Sequence, residues 1–138
     1  MKKVSNAYAE IAKNFMKPSP EDTAAPNTFT AYGEKHVCVN AVRHEKNIIV
    51  IKDRIIEAWT DNDFESLTIA DMQILASLDA EVILFGTGRK LRFPRPELMQ
   101  PLVQAKKGLD IMDTQAACRT YNILAGEGRN VIAALLLE

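Results

Sequence analysis

The stretch Glu81-Val82-Ile83-Leu84-Phe85 constrains the fold more than any other part of this sequence. It is a short, almost unbroken apolar run, as required of a strand covered on both faces, and it ends abruptly at Gly86-Thr87-Gly88. Pro96 suits the first turn of a helix carrying Leu98, Met99, Leu102 and Val103, with Gly108 to close it. Leu109 to Met112 reads as a second strand. Asp113 or Thr114 caps a helix through Ala116, Ala117, Tyr121 and Leu124 that stops at Gly126 or Gly128, and Val131 to Leu137 is a last buried strand. The order is β-α-β-α-β. Right-handed crossovers make the three strands parallel, and parallel sheets place ligands beyond the carboxyl ends of their strands. Function is therefore expected near Gly86-Thr87-Gly88 and the Asp113-Thr114 helix start.

The preceding block has a different rhythm. Phe29 to Tyr32, Val37 to Val39, Ile48 to Ile51 and Ile55 to Trp59 are short strand-like runs. Gly33-Glu34-Lys35, Glu45-Lys46-Asn47 and Lys52-Asp53 separate them, gaps that suit antiparallel hairpins. Thr68 is a helix cap with Asp71 in capping-box position, ahead of Met72, Leu75 and Ala76. The predicted fold is an α/β (mixed α+β) domain over 27–138, an N-terminal antiparallel meander followed by C-terminal β-α-β-α-β parallel units. Residues 1–26 stand apart. Val4, Tyr8, Ile11 and Phe15 recur at helical spacing among lysines, and Pro18, Pro20 and Pro26 make a connector. This amphipathic arm packs on its own domain, docks on a partner subunit, or lies on a membrane surface.

With 138 residues, 47% of them apolar, the chain has material for one core. A net charge of −1 excludes a global field toward nucleic acid. Two distant cysteines, Cys38 and Cys118, make neither a disulfide framework nor a zinc motif, and a reducing cytosol is the expected setting. No apolar run approaches the roughly 18 residues of a membrane-spanning helix, and none resembles a signal peptide.

The candidate chemistry is that of binding. Backbone N–H groups at Gly86, Thr87 and Gly88, together with the positive end of the Thr114 helix, suit a phosphate or carboxylate. The alternative is a tight strand-exit turn. The loop is not a dinucleotide fingerprint: Leu91 stands at the third glycine position and Pro94 interrupts the helix. Arg89, Lys90, Arg92 and Arg95 follow, either a merely solvated run or a docking strip for an acidic partner or anion. On the next helix Gln115, Arg119 and Asn122 share a face and form a pocket wall, or Arg119 bridges to Asp113 and locks the helix end. Cys118, early in that helix, is either an activated thiol or a small core residue. His36 and Cys38 share a strand face, too few groups for a metal, and no metal or cofactor is expected.

Ile83 to Gly88, Phe93-Pro94 with Pro96-Glu97-Leu98, Met112 to Asn122, and Glu127-Gly128-Arg129 together resemble a domain family of unknown function. Asn40 and Trp59 fit the same pattern. That family is widespread in bacteria, present in archaea, and includes a mitochondrial assembly factor for respiratory complex I. The resemblance covers residues 27–138. It implies a three-layer α/β fold with a central mixed sheet, no established catalytic residue, and a protein partner. The residues themselves put the expected working edge at Gly86 to Gly88, the strip 89–95 and helix 114–122. The alternative is a small anionic ligand, bound or transformed in the same crevice. Association between copies of the chain is left open.

Overall fold

The computed structural model describes residues 25–138, and the amphipathic reading of the N-terminal arm concerns segments outside them. The chain runs β1 (Phe29–Gly33), β2 (His36–Val39), β3 (Val42–His44), β4 (Ile48–Ile51), β5 (Arg54–Glu57), α1 (Ile69–Ala76), β6 (Val82–Gly86), α2 (Gln100–Gln104), β7 (Asp110–Met112), α3 (Thr114–Gly126) and β8 (Val131–Leu135). A 3-10 turn, Pro96–Met99, leads into α2.

Five strands form the central sheet in the order β5-β4-β8-β6-β7, and β1-β2-β3 form a separate antiparallel sheet. β8, β6 and β7 are parallel; β4 pairs antiparallel with both β5 and β8, Ile49 opposite Ala134. The fold is thus the mixed α/β arrangement read from the sequence, in the three layers that the family resemblance implies, with one refinement. The meander splits: its first three strands leave the central sheet and only β4-β5 join it.

Burial explains why the middle strands read as solid apolar runs. β4 (Ile-Ile-Val-Ile) and β8 (Val-Ile-Ala-Ala-Leu) are buried at every position, whereas the edge strands β5 and β7 are half-exposed. Alternate side chains feed two cores, as a period of two demands. Ile49, Ile83, Phe85, Ile132 and Ala134 pack with α1 and with Leu98 and Leu102 on one face. Ile48, Val50, Leu84, Ala133 and Leu135 pack on the other with Ala117, Cys118 and Tyr121 of α3 and with Phe29, Val37 and Val39. The two crossover connections therefore lie on opposite faces of the sheet, and the small sheet shares a layer with α3.

Three local details differ from the sequence reading. Strand β3 is absent from it, because the β2–β3 turn is Asn40-Ala41, with φ of 51° and 69°, rather than an Asn-Gly pair. Trp59 does not belong to β5: Ala58, at φ 51°, turns the chain and sends Trp59 into the core, where its Nε1–H donates to Leu135 O (3.0 Å). The helix over 100–104 is closed by Lys106 in the left-handed conformation, with Lys106 N–H donating to Val103 O and Lys107 N–H to Leu102 O, and not by Gly108. The capping box of α1 forms as read, Thr68 Oγ1 accepting from Asp71 N–H and Asp71 accepting from Thr68 N–H.

Candidate functional site

Because β6 and β7 are neighbours and β8 lies on the other side of β6, the segments leaving all three strands converge at one end of the sheet. Thr114 ties them together. Its N–H donates to Gly88 O (2.8 Å), its Oγ1 accepts from Gly88 N–H (2.9 Å), and the same hydroxyl donates to Leu136 O (2.8 Å). Leu136 N–H donates to Gly86 O (2.9 Å), and Thr87 N–H to Met112 O (2.9 Å). Gly86 is required by this closeness: a Cβ there would lie 2.9 Å from Thr114 Cα.

This network corrects one expectation. The Thr87 and Gly88 N–H groups do not face a ligand; both are engaged inside the protein, and Thr87 and Gly88 are buried. The Thr87 hydroxyl donates to Lys90 O (2.7 Å). Gly86-Thr87-Gly88 is the strand-exit latch, with Gly88 at φ 99° supplying the left-handed bend.

The basic strip is also reorganised. Arg92 points inward: its Nη2 donates to Thr87 O (2.6 Å) and to Glu138 Oε1 (2.8 Å), and its guanidinium lies 4.5 Å from the centre of the Phe64 ring. Arg89 pairs with Glu34 (2.8 Å) and Arg95 with Glu97 (3.7 Å). Three of the four cations therefore meet carboxylates. Along the extended segment 91–95, Arg92 and Pro94 turn inward while Leu91 (50% exposed) and Phe93 (68%) turn outward.

Between the latch and the β1–β2 turn lies a crevice of about 410 Å³. Glu34 and Lys35 form one wall, Gln115 and Arg119 another, and Arg89 and Glu138 the rim. Asp113 sits at the start of α3, its carboxylate accepting from Ala116 N–H (2.9 Å). Of the expected pocket wall, Gln115 and Arg119 are in place, but Asn122 is not. Its side chain accepts from Phe29 N–H (2.9 Å) and donates to Phe29 O (2.8 Å), anchoring β1 to α3. The Arg119–Asp113 bridge does not form, and the Arg119 side chain makes no hydrogen bond or ion pair among the described residues.

Cys118 is fully buried among Ala117, Tyr121 and Leu84, and burial pushes its thiol up to about 12 from an ordinary 9.0. It is a core residue, not an activated nucleophile. Among the described residues no group of three or more His, Cys, Asp or Glu could hold a metal ion. Sequence reasoning missed the Gly33–Lys35 wall and the Leu136–Glu138 floor. The turn at 33–35 was legible as a turn, but no local signal says which end of the central sheet it reaches.

These features define a class: a small three-layer α/β domain with a crevice where its parallel strands end. The chain belongs to the family described as "Protein of unknown function (DUF498/DUF598)", which matches residues 29–136. A protein of known crystal structure from Bordetella parapertussis is 41% identical, superposes with a TM-score of 0.74, and is matched over 83% of this chain and 98% of its own. The "13 kDa major membrane protein" of Francisella tularensis is 28% identical over 117 residues, 84% of this chain and 95% of that protein. "NADH dehydrogenase (ubiquinone) 1 alpha subcomplex assembly factor 3" of Mus musculus is 28% identical over 89 residues, 63% of this chain and 48% of that protein. The chain thus spans about half the length of that assembly factor. Among the described residues no helix is long and apolar enough to cross a membrane.

Proposed function

We propose that this chain is a non-enzymatic binding or assembly module that works in the cytosol and docks a protein partner on the rim formed by segment 89–95 and the start of α3. The observation that carries the reading is the arrangement of Leu91 and Phe93. Two large apolar side chains are held outward on an extended segment whose intervening residue, Arg92, is pinned inward by Thr87, Glu138 and Phe64. Apolar surface fixed in place in this way suits an interface anchor, because little conformational freedom remains to be lost on binding. The kinship with an assembly factor supports a protein partner by analogy.

The partner is met through apolar contact rather than through charge. Within the strip Arg92 is structural, held inward by Glu138, and Arg89 and Arg95 each sit in an exposed ion pair. The test is cross-linking in cells of the source organism with Leu91→Ser, Phe93→Ser beside the parent chain. The expected outcome is loss of one specific cross-linked partner at unchanged melting temperature. The same partner recovered in the same yield would sink the docking role of this segment.

A further inference from the structure

We propose that the crevice is a binding site for a small molecule bearing a doubly charged oxyanion, and that Glu34 is its built-in competitor. The inference deepens the functional reading by assigning a ligand to the inner side of the same rim, on Lys35, Arg89 and Arg119 rather than on Leu91 and Phe93.

Among the described residues three cations reach the crevice from three separate parts of the chain: Lys35 from the β1–β2 turn, Arg89 from the segment after β6, and Arg119 from α3. Three carboxylates are also present, but they are not equally free. Glu138 gives one oxygen to Arg92 and the other to Phe64 N–H (2.7 Å). Asp113 caps α3, where the helix dipole offsets its charge. Among the described residues only Glu34 faces a crevice cation, holding Arg89 at 2.8 Å with both side chains mostly exposed. Lys35 and Arg119 have no hydrogen-bonding or ionic partner among the described residues. The site therefore offers two uncompensated cations and a third under an internal carboxylate.

An oxyanion with two charges meets that set. It would sit between Lys35 and Arg119, and Arg119 offers the forked donors that suit phosphate or carboxylate oxygens. Exposed ion pairs contribute little, so exchanging Glu34 for a ligand oxygen on Arg89 costs little and completes the cation trio. The crevice volume, about 410 Å³, lies within the range of small-ligand sites, about 300–1,000 Å³. Glu34 and Lys35 are the two residues of the β1–β2 turn, so one small hinge can withdraw the competitor and advance a cation.

The experiment is calorimetric titration of the full chain with inorganic phosphate at pH 7.5, with sodium chloride at matched ionic strength as the control. Glu34, Lys35 and Arg119 are exposed, so Gln at each position is compatible with the fold, and circular dichroism verifies it. Saturable one-to-one binding is expected, weakened about tenfold or more in Arg119→Gln, weakened less in Lys35→Gln, and tightened several-fold in Glu34→Gln. An absence of saturable binding in both the parent and Glu34→Gln, or an Arg119→Gln titration equal to the parent's, overturns the site. An unchanged Kd in Glu34→Gln overturns the competitor. The docking reading fails separately, since Leu91→Ser, Phe93→Ser leaves phosphate binding unchanged and Arg119→Gln leaves partner cross-linking unchanged.

Discussion

Asn122 and Phe29 lie 93 positions apart in sequence, and the side chain of the first satisfies both backbone groups of the second. Asn122 Oδ1 accepts from Phe29 N–H at 2.9 Å, and its Nδ2 donates to Phe29 O at 2.8 Å. Beside this clamp the Phe29 ring meets Tyr121 edge-on, with centroids 5.2 Å apart. One turn of α3 thus holds the small sheet against the central one.

Replacing Asn122 by Ala strands a donor and an acceptor on β1 at a partly buried site. The expected loss is about 1–3 kcal/mol, read as a lower denaturant midpoint at unchanged slope. Asn122→Asp keeps the acceptor but not the donor and places a charge against Phe29 O, so it should also destabilise. If both variants unfold like the parent, the clamp has no energetic role.

The glycines separate by what surrounds them. Gly86→Ala forces a Cβ to within 2.9 Å of the Thr114 backbone, and Gly88→Ala adds a left-handed φ of 99° to a 2.9 Å approach to Glu138. Each should cost about 1–3 kcal/mol by overpacking or backbone strain. Gly126, the last residue of α3, has nothing within 4 Å of an added Cβ, so Gly126→Ala should stabilise by roughly 0.4–1 kcal/mol. Thermal melts of the three variants check the ordering, and a tolerated Gly86→Ala would contradict the latch.

The parallel half of the fold was legible because its signals are local. The apolar runs of β6 and β8, the Thr68–Asp71 box and the Asp113 cap each declare themselves within a few residues. From them the converging loops of the crevice followed. What stayed hidden depends on partners distant in sequence. Exposed N–H groups at Thr87 and Gly88 are indistinguishable in sequence from ones bonded to Met112 and Thr114. Arg92 reads like its three cationic neighbours until Phe64 and Glu138 are brought beside it. The split meander was hidden for a related reason, since whether β3 or β4 continues a sheet is decided by β8, far along the chain, where Ile48 meets Leu135 and Ile51 meets Ile132.

Ala41 explains why β3 is weakly encoded and what an optimised turn would gain. Its φ of 69° is unfavourable for a residue with a Cβ, and the turn is held by Ala41 N–H donating to Thr30 Oγ1 (2.9 Å) and by Asn40 Oδ1 accepting from Thr28 N–H (3.1 Å). Ala41→Gly relieves the strain and should stabilise by about 1 kcal/mol. A measured destabilisation would mean that the added freedom of the unfolded chain outweighs the strain.

The two thiols give a pH-dependent readout of core integrity. Cys38 is half-buried on the small sheet, whereas Cys118 is fully buried with its thiol pushed up to about 12 by desolvation, an effect that Arg119 opposes weakly and Asp113 reinforces. A small alkylating agent at pH 8 should therefore modify Cys38 alone and reach Cys118 only through opening of the core. The raised thiol has a stability consequence with a definite sign. Below about 9 the group is protonated both folded and unfolded and contributes no slope. Between about 9 and 12 the unfolded chain releases the proton while the folded one retains it, so stability falls as pH rises through that window. Tyr121, whose hydroxyl burial also pushes upward from 10.0, adds to the same alkaline loss. Cys118→Ala should flatten the fall in the 9–12 window, and its persistence unaltered would assign it to other groups.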